Sequence, residues 1–159
     1  MSYQAVILTV SDSCAAGTRT DTSGPAIRAM LENAGFAVQA MQTVPDEEGQ
    51  ISAAIVHACD ILQADLVVTT GGTGLSPCDV TPEATLAVLD REIRAIPVAM
   101  WVEGLKSTPR AMLSRAVAGI RGHTLVLNVP GSEKAARENL SAVVATLEHA
   151  LRMLAGGGH

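Results

Sequence analysis

The chain has 159 residues, enough for one domain with a full-sized core, and 48 % of them are hydrophobic while only 2 % are aromatic. A core made of Ala, Val, Ile, Leu and Met favours layered α/β packing over a β-sandwich. The net charge of −5 comes with no Lys/Arg cluster, which argues against nucleic acid as a partner.

The first element is "AVILTV" (Ala5 to Val10), a continuous apolar run with β-branched residues that predicts a strand buried on both faces. The N-terminal "MSYQAVILTV" has neither the basic stretch nor the cleavage site of a signal peptide, and no apolar run is long enough to span a bilayer. Three cysteines (Cys14, Cys59, Cys78) without a CxxC suggest neither a disulfide framework nor a zinc site, and point to a reducing cytoplasm.

After the polar loop "SDSCAAGTRTDTSG", a helix is expected from Ser23-Gly24-Pro25, with an apolar stripe of Ile27, Leu31 and Ala34 and a stop at Gly35. "FAVQAMQTV" (Phe36 to Val44) alternates and reads as a strand nearer an edge. A second helix carries Ile51, Ile55, Ala58 and Leu62 at spacings of 4, 3 and 4, with His57 beside that stripe. "DLVVTT" (Asp65 to Thr70) is the next buried strand and runs into "GGTG". Thr81-Pro82-Glu83 then resembles a helix start, with a capping side chain, proline and an acid in the first turn. Residues 94–122 suggest helix and turn with a break near Pro109, and place Trp101 at an interface or in the core. "TLVLNV" (Thr124 to Val129) is a further strand, and one last helix is expected from Ala136 through Leu140, Val143, Leu147 and Leu151 to Leu154, ahead of a frayed "AGGGH" tail that includes His159. No repeat, linker or boundary interrupts 1–159, so a single domain is expected.

This alternation of strands and helices predicts a mostly parallel sheet with right-handed crossovers and ligands at the strands' carboxyl ends. Four such ends carry notable loops: Ser11-Asp12-Ser13, Pro45-Asp46-Glu47, Gly71 to Asp79, and Pro130-Gly131-Ser132. Glycines permit positive φ and close backbone approach, so a run of amides can surround an anion. The glycines alone fit a tight strand-to-helix turn equally well. A P-loop would need GxxxxGK[ST] and a dinucleotide fingerprint GxGxxG, and neither spacing is present. Asp79 adds to the case: a carboxylate beside a phosphate loop is repulsive unless a divalent cation lies between them. Asp46 is a natural second carboxylate, although by itself it also reads as a helix cap after Pro45.

Taken together, "ILTVSDS", "TTGGTG", "DVTPEAT", "AMLSRAVAGIRG" and "NVPGS" resemble the molybdenum-cofactor biosynthesis proteins of the MogA/MoaB type, which include the G domain of gephyrin, over nearly the whole chain. The resemblance implies a three-layer α/β/α sandwich and a homotrimer. It also implies a molybdopterin adenylyltransferase that moves AMP from ATP to molybdopterin with Mg²⁺, releases pyrophosphate, and passes its product to a molybdate-insertion protein. Asp79 and Asp46 would be the catalytic and metal-binding carboxylates. Gly71, Gly72, Thr73 and Gly74 would form the nucleotide-phosphate loop, with Ser11 and Asp12 lining the same pocket. Ser114, Arg115, Asn128, Pro130 and Gly131 would contact ligand. The pattern is departed from at Cys78, where relatives often carry Arg, at Glu133 and at Arg94-Ala95. Two other functions remain open for this fold: a non-catalytic molybdopterin carrier, and a nucleotide pyrophosphatase.

Overall fold

In the computed structural model, which describes residues 2–157, six strands form one sheet in the order β2-β1-β3-β6-β5-β4. β1 (Gln4–Val10), which leads into the single-turn helix α1 (Asp12–Ala15), runs parallel with β2 (Ala37–Val44), β3 (Leu66–Thr70) and β6 (Thr124–Val129). β5 (Ala118–Arg121) and β4 (Arg91–Glu92) extend the sheet antiparallel. Side-chain alternation explains the layers. Ala5 and Ile7 of β1, Leu66 and Val68 of β3, and Leu125 and Leu127 of β6 pack on one face with α2 (Ser23–Asn33), α5 (Ala95–Leu105), α6 (Glu133–Ser141) and α7 (Val144–Leu154). Val6, Leu8, Val67 and Val126 pack on the other face against Ile51 and Ile55 of α3 (Glu48–Val56) and Ala84 of α4 (Thr81–Leu86). Each fully buried Ile or Leu contributes about 1.5–3 kcal/mol, so two apolar faces per strand hold three layers without aromatic bulk.

The edge position expected for the second strand is observed, and α2 ends at Gly35 with φ +96°. Four expectations change. α3 passes into a π-helical turn (His57–Ile61) in which Leu62 N–H donates to the His57 carbonyl at 3.0 Å, so Ala58 and Cys59 are both buried while His57 is exposed. Residues 94–122 hold α5 and a 3₁₀ turn (Pro109–Leu113), but also strand β5, which joins β6 through Gly122 at φ +58°. The last helix is two, because Ala142 and Val143 N–H donate to carbonyls three residues back and tighten the chain at 3.2 and 3.1 Å. Thr81 does not cap α4: Val80 occupies the cap and Thr81 is the first helical residue. Of the expected tail, Gly158 and His159 lie outside the described residues.

Candidate functional site

The carboxyl end of β3 is anchored before the glycine loop begins. Thr70 Oγ1 donates to the Pro130 carbonyl at 2.8 Å and to Ser23 Oγ at 3.2 Å, which ties the ends of β3 and β6 to the start of α2. Gly71 then turns at φ +103° with its N–H on the Val129 carbonyl at 3.1 Å, and a Cβ there would overlap the Val10 carbonyl. Gly72 follows at φ +70°. Both positions therefore demand glycine for shape. The amides of Gly72, Thr73 and Gly74 donate to no acceptor among the described residues. Three successive donors without acceptors, on residues that line one cavity, are available to an anion. Further on, Asp79 closes a small turn, its N–H on the Ser76 carbonyl at 2.9 Å and its Oδ2 accepting from Ser76 N–H at 3.1 Å.

Asp46 faces this loop from the β2–α3 connection. Its N–H donates to Asp12 Oδ1 at 2.8 Å and its Oδ2 accepts from Asp12 N–H at 3.1 Å, a reciprocal clasp between the loops after β1 and β2. Burial raises the Asp46 carboxyl above its ordinary value; the Asp12 N–H opposes this, and the charges of Asp12 and Asp79 raise it further. Among the described residues, no salt bridge pairs Asp12, Asp46 or Asp79 with a basic side chain. Among the described residues, no cluster of three His, Cys, Asp or Glu stands ready to hold a metal.

A cavity of about 640 Å³ opens at this rim and brings together Ser11, Asp46, Gly71, Gly72, Thr73, Gly74, Asp79, Ser114, Pro130 and Gly131. Three residues expected to contact ligand do not line it. Asp12 is turned to Asp46 in the clasp above. Asn128 is fully buried: its Oδ1 accepts from Val117 N–H at 3.1 Å, and its Nδ2 donates to Thr69 and Thr85 hydroxyls at 2.8 and 3.1 Å. Arg115 uses its guanidinium on the chain itself. Nε donates to the Gly74 carbonyl at 2.8 Å, Nη2 to the Asp79 carbonyl at 2.7 Å, and Nη1 to Glu83 at 2.6 Å. That pairing holds the Glu83 carboxyl below its ordinary range. Arg115 is a strut of the glycine loop. Arg115→Ala is therefore expected to speed amide hydrogen exchange in residues 73–83. Unchanged exchange in that segment would contradict the assignment.

The structure adds residues that the sequence did not single out. Of eleven Lys and Arg, eight have an acidic partner. The other three are Arg19, Arg91 and Arg110, and two of these, Arg19 and Arg110, line the cavity. Asp21 organises the loop carrying Arg19: its Oδ1 accepts from Gly24 N–H at 3.0 Å and its Oδ2 from the Thr9 hydroxyl at 2.7 Å. Cys78, standing where relatives often have Arg, is exposed and outside the cavity lining.

A mostly parallel α/β sheet whose strand-end loops meet in one cavity of this kind is a ligand-binding α/β domain. The chain belongs to the molybdenum-cofactor biosynthesis family: the family described as "probable molybdopterin binding domain" matches residues 6–149. It is 40 % identical over 158 residues to gephyrin of Dictyostelium discoideum, covering 93 % of this chain and 22 % of that one. It is 37 % identical over 154 residues to molybdopterin adenylyltransferase of Helicobacter pylori strain J99, covering 94 % of this chain and 86 % of that protein. Among solved structures, the molybdopterin biosynthesis enzyme MoaB of Thermus thermophilus superposes with a TM-score of 0.92 at 49 % identity, over 97 % of each chain. That likeness, together with the two packed sheet faces, makes the fold a three-layer α/β/α sandwich. The chain spans half or less of the first curated relatives it matches.

Proposed function

We propose that the chain is a molybdopterin adenylyltransferase, moving AMP from ATP to the terminal phosphate of molybdopterin and releasing pyrophosphate. The observation that carries this reading is the pairing of three unpartnered amides, at Gly72, Thr73 and Gly74, with two carboxylates, Asp46 and Asp79, on one cavity wall. A phosphate loop without lysine and beside two carboxylates suits a phosphate substrate that arrives with a divalent cation.

The donor set fits Mg²⁺. Two carboxylates together with substrate phosphate oxygens are a usual environment for that ion, and the Asp46 carboxyl is already crowded by the charges of Asp12 and Asp79. Asp46 and Asp79 would hold the ion, which when bound neutralises phosphate charge and polarises the phosphoryl group. The chain's own part is positioning. A pterin phosphate oxygen attacks the α-phosphorus of ATP, a new P–O bond forms, and the bond to the β-phosphate breaks so that pyrophosphate leaves. Such a step needs alignment and charge stabilisation more than a strong base. The Gly72–Gly74 amides orient ATP phosphate oxygens, and Ser11 and Ser114 supply hydroxyls to the same cavity. Arg19 and Arg110 bring the positive charge that the glycine loop lacks to phosphates beyond the reach of its amides. The test is mass analysis of the pterin after incubation with ATP and Mg²⁺. An adenylylated pterin is expected; an unmodified pterin would remove the proposal.

The acting form is a homotrimer, and its product passes to a molybdate-insertion protein. Val98, Val102 and Leu105 lie exposed along one side of α5, beside exposed Met112 and Leu113 of the 3₁₀ turn. A contiguous apolar face of this sort marks an interface, and copies of the chain are its occupant. Light scattering at micromolar concentration is expected to give three times the chain mass; a monomer would overturn the assembly.

A further inference from the structure

Among the described residues only two buried side-chain polar atoms lack a hydrogen-bond partner, and one of them, Thr81 Oγ1, is at the site. Thr81 is fully buried as the first residue of α4. Its backbone is satisfied, with N–H on the Gly72 carbonyl at 3.1 Å and the carbonyl accepting from the Thr85 hydroxyl at 2.7 Å. Only the hydroxyl is without a partner. Folding gives no reason for it: an unpaired buried hydroxyl is destabilising, and valine has the same branched shape without that penalty.

Gly72 shows where the hydroxyl is directed. A Cβ built on Gly72 would overlap Thr81 Oγ1 and stand 3.2 Å from Asp46 Oδ1. The two oxygens therefore flank the same point beside the Gly72 Cα. Asp46 Oδ2 already accepts from Asp12 N–H, whereas Oδ1 has no donor among the described residues. One unpaired donor and one acceptor edge without a donor among the described residues thus lie on either side of the space that a side chain at Gly72 would fill.

We propose that Thr81 is a positioning residue for Asp46: its hydroxyl is the donor that steadies the Oδ1 edge of that carboxylate when it takes up a cation-bound phosphate substrate. This rests on the metal-dependent reading of the site given above. The backbone amides hold the phosphate, and Thr81 sets the angle of the carboxylate beside it.

The test uses Thr81→Val and Thr81→Ser, with Mn²⁺ uptake in the presence of α,β-methylene-ATP followed by electron paramagnetic resonance, and melting measured alongside. Thr81→Val is expected to melt no lower than the parent and to bind Mn²⁺ about tenfold more weakly, the scale of one lost hydrogen bond to a charged group. Thr81→Ser loses a packed methyl, so it melts lower, yet it keeps Mn²⁺ affinity within about twofold of the parent. The two orders cross. Equal affinity for parent and valine variant overturns the proposal, and so does affinity that simply follows melting temperature in both variants. A parent protein that takes up no Mn²⁺ overturns the metal reading itself and this inference with it, a result distinguishable from the first two.

Discussion

Replacing Asp79 by asparagine is expected to slow adenylyl transfer at least ~100-fold, about 2.7 kcal/mol in the barrier, and to leave the fold intact. The Asp79 side chain accepts one hydrogen bond, from Ser76 N–H, within its own turn. Asparagine retains a carbonyl oxygen for that bond, so the turn survives. What disappears is a full negative charge beside the glycine loop: a Cβ on Gly74 would come within 2.8 Å of Asp79 Oδ2. That charge also contributes to the raised Asp46 carboxyl, so the two carboxylates act on one small volume. Asp46→Asn is expected to cost as much or somewhat less, because the Asp12 clasp continues to hold its backbone. The check is turnover across a Mg²⁺ titration. Near-parent turnover at unchanged Mg²⁺ dependence would make Asp79 only a loop residue ahead of α4.

The second large effect concerns stability. Asn128→Ala is expected to destabilise the protein by about 3 kcal/mol in urea unfolding, because it strands several buried polar groups. Asn128 is fully buried and links β6 to the Val117 amide, to the Thr69 hydroxyl on β3 and to the Thr85 hydroxyl in α4. It joins the parallel part of the sheet to the chain entering β5 and to the helix after the glycine loop. The folded variant is expected to bind ATP within about twofold of the parent. A variant of parental stability that no longer binds would return Asn128 to the ligand.

Motif resemblance brought Arg115 and Asn128 into the candidate site because both stand in blocks around the cavity. A motif records that a side chain matters near a site, not whether it faces the ligand or braces the wall. Sequence spacing cannot separate these roles: Asn128 lies near the carboxyl end of β6 and Arg115 just ahead of the antiparallel β5, so both reach the same rim whichever way the side chain faces. The placement of Ser11, Asp46, Gly71 to Gly74, Asp79, Pro130 and Gly131 was legible for a physical reason: a parallel sheet delivers the loops after β1, β2, β3 and β6 to one rim. Ser114 reaches the same cavity from the turn after α5. Arg19 and Arg110 were not legible. Each is one arginine in a polar loop or turn, and only the pairing of the other basic side chains in space leaves these two at the cavity.

In the fold, β1, β3 and β6 were readable because continuous β-branched runs buried on both faces have few alternatives. β5 was not, since "AGIR" has neither length nor alternation and is a strand only because β6 pairs with it. The kink between α6 and α7 was invisible to periodicity, because Leu140, Val143 and Leu147 keep the same spacing across it.

Pyrophosphate release from ATP and Mg²⁺, measured with and without molybdopterin, tests the central claim most directly. Adenylyl transfer predicts one pyrophosphate per molybdopterin consumed and none when the pterin is left out. Release without pterin would make the protein a nucleotide hydrolase, and no release with pterin present would make it a carrier; either result contradicts the account.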